Sequence, residues 1–341
     1  MWMNFFANRS YNDISQYPVF PWILSNYDDP FKIEPFFFKS SLYDINNSSN
    51  DNGSRHVSIS DNCDTENEKK KKKKNEEDEY NYRDLKLPMG MLEINEESKK
   101  RKDYFIELYN TIKDNKDEFE GRSPYFYGQN YSNPVYVCNF LMRLFPFTHI
   151  SIELQGNKMD DPNRLFLSVN TSFNNSITQK ADVRELIPEF FYLPEMFLNI
   201  NDINLGHKEN GSAVYNVITP CNNNAFSFVE MMKRVFENDR ISKYLNNWVD
   251  LIFGYKNKGK EAENAKNVFT EASYQEDINI DLIKLEEKES FLRLVEFGLI
   301  PTQIMSKECP KRDKKINVKE KEITDYNNKS KIKLISIKHE S

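Results

Sequence analysis

Three glutamates, Glu185, Glu189 and Glu195, lie close together in the strip A-D-V-R-E-L-I-P-E-F-F-Y-L-P-E-M-F-L at 181–198. Neighbouring carboxylates can do general acid–base chemistry when burial keeps one protonated and leaves the other ionised. The surroundings here favour structural roles. Asp182 and Glu185 read as a capping box that starts one helical turn. Glu189 and Glu195 fall at bends next to prolines, with Arg184 and Arg164 as candidate partners. Histidine chemistry is poorly supplied: His56, His149, His207 and His339 are scattered, with neither an HExxH nor an i, i+4 pair, so no metal site is predicted. Cys63, Cys138, Cys221 and Cys309 form no CxxC, which fits reduced thiols in a cytosolic setting. No phosphate loop, G-x-G-x-x-G or G-x-S-x-G occurs among the 10 glycines, and no cofactor is expected.

The charge balance narrows the classes further. With 47 Lys+Arg against 53 Asp+Glu, the net charge is −6, the wrong sign for a general nucleic-acid binder. The Phe and Tyr clusters therefore read as core, since no basic groove accompanies them to make a stacking platform for bases. No apolar run reaches the ~18 residues of a membrane span. Met1–Ala7 is too short for a signal-peptide core.

The elements that position these residues can be placed in turn. Pro188 and Pro194 deny the 181–198 strip both a helix interior and a central strand. Leu186, Ile187, Phe190, Phe191, Tyr192, Leu193, Met196 and Phe197 thus call for burial on an irregular backbone, which needs a shell to satisfy its polar groups. Residues 4–28 open on the tail of a helix and continue along an extended path through Pro18 and Pro21. Helices are predicted where Tyr104, Phe105, Leu108, Tyr109 and Ile112 recur at helical spacing. Another follows the Asn133–Pro134 start through Val137, Phe140, Leu141 and Leu144, ended by Pro146. Asp161–Pro162 repeats that device ahead of Leu165, Phe166, Val169 and Phe173. Further helices carry Phe228 to Phe236, Ile241 to Ile252 behind an Asp239 cap, Ala262 to Phe269, and Phe291 to Val295. The class is mainly α, with helices around a core of irregular extended segments.

Composition sets the boundaries. Residues 1–45 form an N-terminal part that starts abruptly, and 80–312 form the main part. Between them, 46–79 collapse into Asn, Ser, Asp, Glu and Lys, including Lys69 to Lys74. Such a stretch is expected to be a disordered insertion, and Glu76, Glu77, Asp78 and Glu79 dilute any use of the lysines as a membrane or localisation signal. Residues 313–341 read as a charged, disordered tail.

Four blocks, taken together, carry more. They are N-R-S-Y-N-D-I-S-Q-Y-P-V-F-P-W (8–22), Y-R-D-L-K-L-P-M-G (82–90), D-V-R-E-L-I-P-E-F-F-Y-L-P-E (182–195) and N-W-V-D-L-I-F-G-Y-K (247–256). In this order they closely resemble the BEACH domain of beige, the lysosomal trafficking regulator and neurobeachin. Shorter matches are Y-F-Y-G-Q-N-Y-S (125–132), L-M-R-L-F-P-F-T (141–148), D-P-N-R-L-F (161–166), K-N-V-F (266–269) and F-G-L-I-P-T-Q-I (297–304).

The resemblance implies a mainly helical domain with irregular central segments and no enzymatic activity. It implies a cytoplasmic scaffold that acts by protein–protein interaction in vesicle traffic, lysosome-related organelles, autophagy or receptor sorting, peripherally and indirectly associated with membranes. A hydrolase or lipid-modifying enzyme is the alternative from another class. In the family a PH-like domain usually precedes the domain and a WD-repeat propeller follows. The chain departs from the pattern in starting late, in having no room for those modules, in its insertion, and in carrying Phe126 and Asn130 where histidines are usual. The first two departures suggest a fragment or an incomplete gene model. The candidate partner contact is the polar part of the first block: Asn8, Arg9, Asn12 and Asp13.

Overall fold

A computed structural model describes residues 1–28, 80–115, 117, 123–274 and 298–312, together with the backbone of 318–324 and 331–337. The expected insertion at 46–79, the Phe291–Val295 helix, Cys63, His56 and His339 lie outside the described residues.

Eight helices of the described part set the frame: α1 (Trp2–Phe6), α2 (Glu96–Asp114), α3 (Pro134–Leu141), α4 (Phe147–Leu154), α5 (Val169–Thr178), α6 (Ala225–Phe236), α7 (Asp239–Ile252) and α8 (Gly259–Asn264). Their starts follow from side-chain chemistry. Asn95 accepts from Ser98 N at 2.8 Å, and Ser98 Oγ accepts from Asn95 N at 2.9 Å, closing a capping box on α2. Glu96 and Glu97 stand at the positive end of its dipole. Asn133 accepts from Tyr136 N at 2.9 Å ahead of Pro134, as that pair predicts. Other starts differ by a residue or a turn. Asn238, not Asp239, caps α7, because its side chain takes the N–H of Arg240. Pro146 stands at the start of α4, and α3 has already stopped at Leu141. Asp161–Pro162 opens only a 3-10 turn, and Ser168 then caps α5. α8 ends at Asn264, and Phe269 lies beyond it on an extended path.

The irregular segments run between these helices. The 181–198 strip is two consecutive 3-10 turns, Pro188–Phe191 and Pro194–Phe197, each with its proline in the first turn. Asp182–Glu185 starts no helix, contrary to the capping-box reading. That stretch is extended, and Leu186 forms an antiparallel bridge with Phe20, with both N–H···O distances 2.8 Å. Similar single bridges join Leu24 to Tyr82, Tyr127 to Phe269 and Ser168 to Ile218. The non-helical backbone is thus satisfied pair by pair across long sequence separations.

Packing explains why this arrangement holds. Phe190 is fully buried, with ring centroids of Trp22, Phe140, Phe166, Phe197 and Phe228 between 4.9 and 6.5 Å away. Most of those contacts are edge-on, the geometry aromatic quadrupoles favour. Leu186, Ile187, Phe191, Met196 and Phe197 are buried with it. Tyr192 is the exception at 53% exposed, and Leu193 is half-buried. Gly90, in the second block, has no room for a side chain: a Cβ there would lie 2.0 Å from the Tyr127 ring.

The class is mainly α. The strands among the described residues are β1 (Val318–Thr324) and β2 (Lys331–Ile337), paired antiparallel with Val318 opposite Ile337 and Thr324 opposite Lys331. The β-branched and aliphatic residues Val318, Ile323, Ile332, Leu334, Ile335 and Ile337 give those segments a strand preference that the high charge count masks. The other residues of the expected charged tail, 313–317, 325–330 and 338–341, lie outside the described residues.

Candidate functional site

Glu185 sits where the four sequence blocks meet. Its Oε2 accepts from Arg83 Nη1 at 2.7 Å and from Trp22 N at 3.0 Å, and its Oε1 accepts from the Trp248 indole at 3.1 Å. Trp22, Arg83, Glu185 and Trp248 belong to the first, second, third and fourth blocks in turn, and all are buried. Arg83 also donates to the carbonyls of Trp22 and Leu87. A carboxylate with three buried donors is an ion-pair hub that fixes extended chain. Residue types and spacing did not reveal this hub. Arg83 and Glu185 each stand among other charged residues of their blocks, so charge alone did not single them out.

The other acids have local tasks. Asp182 pairs with Arg184, whose Nε lies 2.9 Å from both carboxylate oxygens. The guanidinium of Arg184 in turn lies over the Tyr136 ring at 4.4 Å. Arg164 pairs with Asp160 and not with any glutamate of the strip. Glu189 is buried and accepts from the Tyr17 hydroxyl at 2.7 Å and the Tyr192 hydroxyl at 3.1 Å. Burial pushes its carboxyl pKa up, and the Tyr17 hydrogen bond partly offsets that. Its second oxygen has no hydrogen-bond partner. Neither arginine proposed for Glu189 and Glu195 pairs with them, because Arg184 is held by Asp182 and Arg164 by Asp160.

The candidate contact residues divide. Asn8 is exposed in a left-handed conformation (φ 62°) and donates to the Thr302 hydroxyl at 3.2 Å. Asn12 is exposed, and its N–H donates to Ser10 Oγ. Asp13 caps the 3-10 turn Ile14–Gln16, accepting from Ser15 N at 2.9 Å and from its hydroxyl at 2.6 Å. Arg9 overturns the expectation of a surface role. It is 3% exposed, and its guanidinium donates to the carbonyls of Tyr17 and Leu299 and to Ser132 Oγ. Burial draws its pKa down to about 10. The guanidinium reaches inward because the extended 8–22 segment has carbonyls that no helix satisfies.

Phe126 and Asn130 are both buried. Phe126 stacks on Tyr109 with centroids 4.2 Å apart, and Asn130 accepts from Ser132 N at 3.0 Å. His149 is exposed and stacks on Phe145, and His207 is also exposed. Among the described residues, no group of three His, Cys, Asp or Glu is placed to hold a metal ion. Burial pushes the Cys138 thiol up to about 12, away from thiolate chemistry. No described helix is long and apolar enough to cross a membrane.

The family model described as Beige/BEACH domain matches residues 1–51 and 63–312. Similar proteins include a putative neurobeachin homolog of Caenorhabditis briggsae, 33% identical over 315 residues, which are 92% of this chain and 10% of that protein. BEACH domain-containing protein B of Arabidopsis thaliana is 32% identical over 92% of this chain and 10% of its own length. Beige protein homolog 1 of Saccharomyces cerevisiae is 33% identical over 91% of this chain and 12% of its own length. The chain thus spans roughly a tenth of each of these relatives.

Proposed function

The chain belongs to the BEACH-domain family, and on that footing we propose that it acts as a non-catalytic scaffold in vesicle and membrane traffic, through protein–protein contacts. The observation that carries this reading is the hub at Glu185. The buried ion pair where the four blocks meet is used to hold extended chain together, so its side chains serve architecture. The processes served are those the family resemblance implies: lysosome-related traffic, autophagy or receptor sorting. A hydrolase or lipid-modifying enzyme would need ionisable groups converging with open valences. Glu185 and Asp182 are committed within the fold, and Glu189, whose Oε2 is open, has only the Tyr17 and Tyr192 hydroxyls as its side-chain partners.

We place the protein in the cytoplasm, associated with intracellular membranes peripherally and indirectly. Its net charge is −6, and the acids after Lys69 to Lys74 dilute that run, while a juxtamembrane lysine contributes only about 1 kcal/mol. Recruitment then depends on a protein partner, or on the PH-like and propeller modules that usually flank this domain in the family. Flotation of the purified chain with liposomes, with and without anionic lipid, tests this. Little co-flotation is expected. Strong flotation that survives alanine replacement of Lys69 to Lys74 would mean that the domain body binds lipid.

A further inference from the structure

Four arginines are buried in the described part: Arg9, Arg83, Arg101 and Arg143. Three of them use the forked end of the guanidinium and leave only Nε unpartnered. Arg9 Nη atoms reach Tyr17, Ser132 and Leu299. Those of Arg83 reach Glu185, Trp22 and Leu87. Those of Arg101 reach the carbonyls of Ser176, Gln179, Asp182 and Met89. Arg143 is the inverse. Its Nε donates to the Tyr215 carbonyl at 2.7 Å, and both Nη1 and Nη2 lack partners although the residue is fully buried. Burial pulls its pKa down to about 10, and no carboxylate offsets that. An open fork on a buried cation is costly to keep, so its use is expected to lie outside this chain.

The fork matches a carboxylate, which it can grip with two parallel N–H···O bonds. The surroundings give that carboxylate a context. The Arg143 carbonyl accepts from Asn201 Nδ2 at 3.0 Å, so residues 199–216 are stitched to Arg143 at two points. Large side chains flank these attachment points and stand in solvent: Phe145 at 54%, Ile200 at 61% and Tyr215 at 49% exposed. An arginine next to exposed aromatic and aliphatic side chains is the composition of an interface hot spot, where arginine and aromatics dominate. We propose that Arg143, with Phe145, Ile200 and Tyr215, forms a docking site for a partner protein that presents an acidic side chain flanked by apolar residues. The 199–216 segment contains neither helix nor strand, and side-chain clips of Asn199 to Asn216 and Ile203 hold it. It is the element that shifts to admit the carboxylate.

This inference rests on the interaction-module reading, but the two fail separately: an activity found in the chain would leave the docking preference intact, and loss of the preference would leave the scaffold standing. The test uses the full chain and two fluorescent peptide libraries, with a central Glu or a central Gln flanked by Leu, Ile and Phe. Wild type is expected to retain the Glu library about tenfold better or more. Arg143→Met should lose the preference and melt close to wild type, because the lost Nε bond to Tyr215 is offset by removal of a buried cation with an open fork. Arg143→Lys, which keeps the charge without the fork, should lose most of the preference. Equal retention of both libraries would overturn the proposal, as would a Glu preference that survives in Arg143→Met. A large drop in the melting temperature of Arg143→Met would also overturn it, by showing that the fork is already satisfied within the fold. Inorganic phosphate that stabilises wild type but not Arg143→Met, with no peptide preference, would make this a small-anion site and equally end the docking reading.

Discussion

Arg83→Met, or Glu185→Gln, is expected to remove about 3–5 kcal/mol of stability, the usual cost of leaving half of a buried ion pair. That is a large fraction of a domain's typical ~5–15 kcal/mol. The pair is 2.7 Å apart with side-chain exposures of 0% and 2%, so water cannot replace the missing partner. Replacing both residues by apolar ones often rescues such pairs, but here it should not. Glu185 also takes the Trp22 N–H and the Trp248 indole, and both donors would remain buried without acceptors. Urea unfolding followed by tryptophan fluorescence reports on this directly, because two of the three tryptophans are at the hub. A loss below about 1 kcal/mol in either single variant would remove the hub from the account.

Phe190→Ala is the second large effect, at about 3–5 kcal/mol, from lost transfer energy and from the cavity left among five rings. Tyr192→Ala should cost only about 1 kcal/mol, through the hydrogen bond its hydroxyl gives Glu189. The contrast matters because the two residues are two apart in one aromatic run. Phe190 lies within the 3-10 turn that Pro188 starts, whereas Tyr192 follows it with φ −152°, so residues 190 and 192 point differently. Equal losses in the two variants would mean that the strip is not seated as described.

That contrast also shows where sequence reasoning stopped. Helices were legible because their signals are local: the Asn133–Pro134 start, and the spacing of Phe105, Tyr109 and Ile112. The two prolines of the strip excluded regular structure correctly, but apolar type alone assigned Tyr192 to the core. The hub was invisible because the partners of Glu185 lie 63, 102 and 163 positions away, beyond any periodic pattern. Arg9 was misplaced for the same reason: its polar type suggested surface, while the carbonyl it satisfies at Leu299 is 290 positions distant. Buried polar groups that tie irregular backbone together are set by tertiary structure, and composition does not announce them.

The central functional claim is that this domain works by binding proteins of the membrane-traffic machinery. Proximity labelling, with the locus tagged in its own cells, tests it most directly. The account predicts labelled neighbours drawn mainly from vesicle and organelle surfaces. A labelled set without membrane-traffic proteins would contradict it.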